Sequence, residues 1–371
     1  MTFDWRDSRE EYRWLVALVA MTVFAFLVAS SIGMAAGLPA WEIAFSYMKV
    51  IWIMGPAAIL LAAIPIFIRA LVLRVKRPFA EMAAFGGNRF GSPARAAGTL
   101  LPILAIPVLM GSFGTLKMLM PLARDFDWDD WLAAADKLLF FGYQPWEFTH
   151  AVFGSALLTQ AIDVIYTLWV ALLFTAVLFY ALLAPRYERA RFFLSFAAAW
   201  LLIGVVGAYV FASAGPCYAH LVGAVSAPEF APLMERLKTI HDSGFRLGAY
   251  EWQGVLWRHH STQDYGFAMG VSAMPSMHNA ITVLYALSLA RASRSMRIAA
   301  WTFVALIFIG SIHLGWHYAI DGIGAGLMAW GIWVAAGAYL DRVGYTRAVS
   351  GGKGQDGEPE LPDYASEPVA I

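Results

Sequence analysis

Long apolar runs recur along this chain, and a bilayer is the solvent that accommodates them. Hydropathy marks about eight stretches near the ~20 residues that a hydrocarbon core requires. They cover residues 14–36, 49–73, 97–117, 157–183, 192–213, 277–291, 298–314 and 318–340. Composition agrees. Of 371 residues, 60% are hydrophobic and 14% charged, against roughly 45–50% and 25% in soluble domains. The 15 Trp and 15 Tyr residues suit headgroup depth, where amphipathic rings are favoured. The expected fold is all-α, a polytopic transmembrane helical bundle. The first apolar run, about 22 residues long, exceeds a signal-peptide core and is read as an uncleaved span.

The loops test this layout, because cytoplasmic loops are enriched in Lys and Arg. Alternate loops carry Arg74, Lys76, Arg77, Arg89 and Arg95, then Arg186, Arg189 and Arg191, then Arg291, Arg294 and Arg297. The tail carries Arg342, Arg347 and Lys353, and the intervening third loop is acidic, with Asp125, Asp127, Asp129 and Asp130. An even span count with both termini cytoplasmic satisfies every loop. Three units follow: an N-terminal transmembrane hairpin with its basic loop over 1–96, a membrane core over 97–341, and a Gly-, Glu- and Pro-rich disordered tail over 342–371. Within the third loop, residues 128–139 have helical apolar spacing and read as a helix lying in the interface. The net charge of zero gives no basic surplus for nucleic acid. The single cysteine, Cys217, excludes an intrachain disulfide and a cysteine metal cluster.

Three polar residues stand where a membrane chain avoids them. His278 opens the sixth span in Met274-Pro275-Ser276-Met277-His278, and His317 and Asp321 open the eighth in Gly315-Trp316-His317-Tyr318-Ala319-Ile320-Asp321. The separation 317 − 278 = 39 residues fits a turn of about five and two helical legs of about seventeen, each rising roughly 25 Å. One leg enters the membrane and the other returns, so the two histidines meet at the outer face. A spacing of four sets His317 and Asp321 on one side of a helix.

Such a trio suits phosphoryl transfer. A histidine attacks phosphorus when it is neutral and its free nitrogen faces the substrate. A carboxylate on the other ring nitrogen fixes that tautomer and stabilises the developing cation; Asp321 can do this for His317. A second histidine, here His278, can protonate the departing oxygen and later deprotonate the acceptor. Ser276 and the amides at the start of its helix offer an anion site. Other chemistries use the same residue types: a single membrane histidine bonds a neighbouring helix, a His-x-x-x-Asp pair relays protons in a transporter, and two histidines with a carboxylate bind metal. The Pro-Ser-x-His run one hairpin upstream favours phosphoryl transfer.

Pro275-Ser276-Met277-His278 with His317-x-x-x-Asp321 resembles the type-2 phosphatidic acid phosphatase superfamily. Its phosphatases carry a Lys-x6-Arg-Pro motif, Pro-Ser-Gly-His, and Ser-Arg-x5-His-x3-Asp. The resemblance implies a phosphohistidine on His317, Asp321 as its partner, His278 as general acid/base, a core of about six spans, and no metal or other cofactor. Three features depart from the phosphatase pattern. Met277 replaces the glycine, Gly310-Ser311 stands where Ser-Arg is expected, and no Lys-x6-Arg-Pro run precedes the second motif. These departures, with Asp163-Val-Ile-Tyr166 and Ser213-Ala-Gly-Pro216, are similar to the inositol phosphorylceramide synthase-like branch. That branch implies transfer of a phospho-headgroup between membrane lipids.

With the usual arginines absent, the phosphate needs other partners. The fifth loop supplies Lys238, Arg246, Arg258, His259 and His260, of which Arg258 and His259 are the leading candidates, beside Ser276 and Met277. His313, four residues before His317, either lines the site or serves a helix interface. Asp163 and Tyr166 either orient an acceptor hydroxyl or a histidine, or tie two helices together. Water as acceptor instead of a lipid hydroxyl would make the protein a lipid phosphate or prenyl diphosphate phosphatase; a proton-coupled transporter is the reading from another class.

Overall fold

Backbone amides and carbonyls inside lipid have no water to bond, so apolar runs must satisfy them internally, as helices do. The computed structural model describes residues 5–38, 41–50, 52–53, 89–262, 266 and 268–345. Among these there is no strand. The helices are α1 (Trp5–Ala35), α2 (Pro93–Ala123), α3 (Asp129–Leu139), α4 (Pro145–Phe153), α5 (Ala156–Leu182), α6 (Arg186–Val210), α7 (Ala227–Asp242), α8 (Gly248–Thr262), α9 (Met277–Ser288), α10 (Arg294–His313) and α11 (Ala319–Arg342). Residues 41–50 are also helical. Serine side chains start α2, α5, α9 and α10: Ser92, Ser155, Ser276 and Ser293 each accept a first-turn amide, as N-cap serines do.

Among the described residues, six helices are long and apolar enough to cross a membrane: α1 from Arg9, α2, α5, α6, α10 and α11. They correspond to six of the expected spans. The expected span 49–73 lies almost wholly outside the described residues, as does the tail beyond Tyr345. The expected span 277–291 is shorter than anticipated. As α9 it has 12 residues, a rise of ~18 Å, against ~30 Å for the 20 residues of α10. The two legs of the hairpin are therefore unequal. The chain compensates after α10 by doubling back, so that the amides of Trp316 and His317 both bond the Ser311 carbonyl at 3.0 Å.

The short helix α9 is surrounded by the long ones, packing against α11, α10 and α6. Its neighbour α6 carries a π-helical stretch, Trp200–Gly207, a local widening that recurs at functional sites. Two glycines make room there. A Cβ on Gly204 would meet Phe113 at 2.8 Å and the Met277 sulfur at 3.2 Å, and one on Gly207 would meet Pro275 at 2.7 Å. The start of the second motif thus rests directly on the π-helical turn. At the other end of the bundle, Glu11 is fully buried and ion-paired with Arg189 at 2.7 Å and Arg186 at 3.0 Å, which fastens α1 to α6.

Candidate active site

The helix expected over 128–139 is present as α3, and its aspartates do the anchoring. Asp129 accepts the amides of Ala214 (2.8 Å) and Gly215 (2.7 Å) and the Tyr318 hydroxyl (2.8 Å). Asp136, two turns along the same face, accepts the amides of Ala319 (2.7 Å) and Ile320 (2.8 Å). These are orphan donors at the start of α11, where an anion is favoured by the helix dipole. Burial pushes both acids upward, Asp136 to about 6, against the pull of the amides. Asp130 holds the amides of Val225 and Ser226. Asp136→Ala is expected to cost about 1–2 kcal/mol, a strong helix cap, visible as earlier thermal unfolding in detergent; an unchanged melting temperature would contradict the cap.

The segment Ser213–Pro216 joins the two motifs. Ser213 accepts the Ala273 amide on its carbonyl (2.9 Å) and the Met274 amide on its hydroxyl (3.0 Å). The Cys217 amide donates to the Gly315 carbonyl (2.9 Å). Gly215 sits at φ +101°, and a Cβ there would lie 2.7 Å from the Trp316 carbonyl, so both its conformation and its closeness to the third motif require glycine.

This scaffold brings His278 and His317 together, with ring centroids 5.9 Å apart. His317 is 7% exposed and donates its Nδ1–H to Asp321 Oδ2 at 2.7 Å. That bond leaves Nε2 as the nitrogen with a free lone pair. Asp321 is fully buried, and the Ser276 backbone amide acts on its carboxylate. The Ser276 hydroxyl accepts the amide (3.4 Å) and side-chain Nδ2 (3.0 Å) of Asn279, so its oxygen serves the helix start. Asn279 Nδ2 also donates to Ser311 Oγ at 3.3 Å, which ties the residue at the family's arginine position to α9. Met277 packs against Gly204.

The other candidates are distributed differently. Tyr166 stacks on His278. Asp163 accepts the amides of Gly248 (2.7 Å) and Ala249 (2.8 Å), capping α8 from α5; of its two readings, the bonds match the helix tie. His313 is bonded to Thr159 (3.0 Å) and Thr149 (3.3 Å), and its ring lies 4.1 Å from that of His150, whose Nε2–H donates to the His313 carbonyl. Burial lowers the His150 pKa. Arg258 is exposed and His259 half-buried on the last turns of α8, where the neighbouring His260 packs on Trp257 and Phe126.

A family model described as the PAP2 superfamily matches residues 130–335. The chain belongs to the PAP2 superfamily. Membership is consistent with a phosphatase-type enzyme, and the six apolar helices among the described residues with an integral membrane protein. No curated protein and no solved structure matches the chain significantly. A further cation, outside the fifth loop, lies near this site. Lys117, half-buried near the end of α2, acts on His278 and lies beside Phe113 and Gly270. Two signals in the sequence mark it. It is a charge inside an apolar run, and Lys117-x6-Arg124 repeats the spacing of the phosphatase motif with Asp125 in place of proline.

Proposed function

We propose that the protein is an integral membrane lipid phosphotransferase that moves a phospho-headgroup from a phospholipid to a lipid hydroxyl through a phosphohistidine on His317. The observation that carries the reading is the 2.7 Å bond from His317 Nδ1 to Asp321 with the His278 ring beside it, the two ring centroids 5.9 Å apart. His317 Nε2 attacks phosphorus, the bond to the diacylglycerol oxygen breaks, and that oxygen takes a proton from His278. The acceptor hydroxyl then attacks the same phosphorus, gives its proton to His278, and the P–N bond breaks. Asp321 balances the imidazolium in both steps, and Lys117 supplies a positive charge near the phosphate. Arg258 and His259, on the last turns of α8, contact the headgroup.

Burial of His317 favours transfer over hydrolysis, since a nucleophile 7% exposed in an aromatic-lined site is shielded from water. The same reading has both termini in the cytoplasm and the site toward the periplasmic or lumenal side, on the bias of basic residues among the loops, with residues 97–341 as the catalytic core. Membrane lipids are the substrates, and neither metal nor cofactor enters the steps. The test uses purified protein with phospholipids labelled in headgroup and phosphate, each with and without ceramide or diacylglycerol. A new labelled lipid that needs both substrates is expected. Water-soluble labelled phosphate formed without acceptor would replace this reading with a phosphatase.

A further inference from the structure

His317 is oriented by a carboxylate; His278 is touched by ring faces. Two residues one helical turn apart on α5 lie against its imidazole. The Trp169 ring is 4.0 Å away at 33°, and the Tyr166 ring is 4.7 Å away at 16°. Both are 5% exposed. The Tyr166 hydroxyl and the Trp169 indole N–H have no hydrogen-bond partner among the described residues. Their polar ends therefore do not hold the histidine, and what they contribute is two flat, rigid surfaces.

The third motif makes space for this arrangement. A Cβ at Gly310 would lie 3.0 Å from Tyr166 Cδ2 and 3.4 Å from Ile162 Cγ2. The glycine that replaces the expected serine is thus what the Tyr166 ring packs onto. The neighbouring Ser311, in place of arginine, bonds Asn279 one residue from His278. Both departures from the phosphatase pattern bear on the same histidine.

We propose that Trp169, with Tyr166, is a positioning residue that clamps the His278 imidazole in the orientation from which it exchanges a proton across the phosphorus at His317. The proposal rests on the reading of His278 as the proton carrier. Stacking fixes the ring plane, and a ring that must both give and take a proton at one atom gains from a fixed plane in both steps. The negative ring faces also favour the imidazolium that donates in the first step and is re-formed in the second. Trp169 does not touch the reacting atoms; it acts through His278.

Two measurements on the full chain in detergent test it. In the first, histidine ring carbons are labelled and the His278 signal is assigned by its loss in His278→Gln. The clamp places that signal well upfield of an ordinary histidine through ring currents. Trp169→Leu should move it back, whereas Trp169→Phe should keep most of the shift. In the second, turnover is followed with labelled phosphatidylinositol and ceramide, or with whichever pair from the phospholipid panel reacts. Trp169→Leu should lower kcat about ten- to a hundredfold, the scale of a misplaced catalytic group, with KM unchanged and Trp169→Phe restoring most of it. A His278 signal at its ordinary position, or one that Trp169→Leu leaves in place, overturns the clamp. So does a kcat loss that Trp169→Phe does not recover. Full turnover in His278→Gln would instead remove the proton-carrier reading, while the ring-current result would stand by itself.

Discussion

Replacing His317 by alanine is expected to abolish turnover, with a loss on the order of 10³–10⁶-fold in kcat, the range for removal of a covalent nucleophile. Among the described residues, the neighbouring groups are poor substitutes. Cys217 is buried, and burial raises its thiol pKa well above the usual range, so no thiolate is at hand. The Ser276 oxygen is engaged by Asn279. In the proposed mechanism His278 works from the far side of the phosphorus, and among the described residues no carboxylate acts on it as Asp321 does on His317. The assay is initial rate in reconstituted vesicles free of host lipid enzymes. Activity within tenfold of the unaltered protein would remove His317 from the mechanism.

Asp321→Asn should lower kcat about 10²–10⁴-fold with little change in KM, by analogy with the loss of a triad carboxylate that holds a histidine tautomer. The bond at stake is the 2.7 Å contact to Nδ1. An amide of the same shape can donate to Nδ1 as well as accept from it. In the donating orientation the proton moves to Nε2, and the nucleophilic lone pair is lost. In either orientation the imidazolium of the intermediate loses its counter-charge. Size is conserved, so the packing of Asp321 below the Ser276 amide is little disturbed and thermal unfolding should be close to that of the unaltered chain. A fall of less than tenfold, or a fall confined to KM, would show that the carboxylate serves the fold and not the chemistry.

The features legible in the sequence are those with a local signature. Apolar runs of bilayer length announce α1, α2, α5, α6, α10 and α11, because each satisfies its own backbone. His278, His317 and Asp321 stand out because ionisable groups are costly in lipid. Counting along one hairpin is enough to bring the two histidines together, although the count assumed two legs of about seventeen residues and α9 has 12. Long-range convergence was not legible. Asp129 and Asp136 look like ordinary charges of an acidic loop, yet their partners lie at Ala214, Gly215, Tyr318, Ala319 and Ile320. Trp169 reads as one more aromatic residue in an apolar span until it meets His278. Lys117 lies at the edge of a hydropathy window, where a charge is easily absorbed into the loop. Asp163 carries the signal of a buried acid, but its partners are amides of α8, a helix whose position the sequence does not set.

The most direct test of the account is to trap the covalent intermediate. Purified protein is given a reactive phospholipid labelled with radioactive phosphate, without acceptor, then quenched and digested. The account predicts label on the peptide carrying His317, stable in alkali and released by acid as a phosphoramidate is, discharged to a new lipid when ceramide or diacylglycerol is added, and absent from His317→Ala. Label that persists in His317→Ala, or turnover by the unaltered protein with no label on His317, would contradict it.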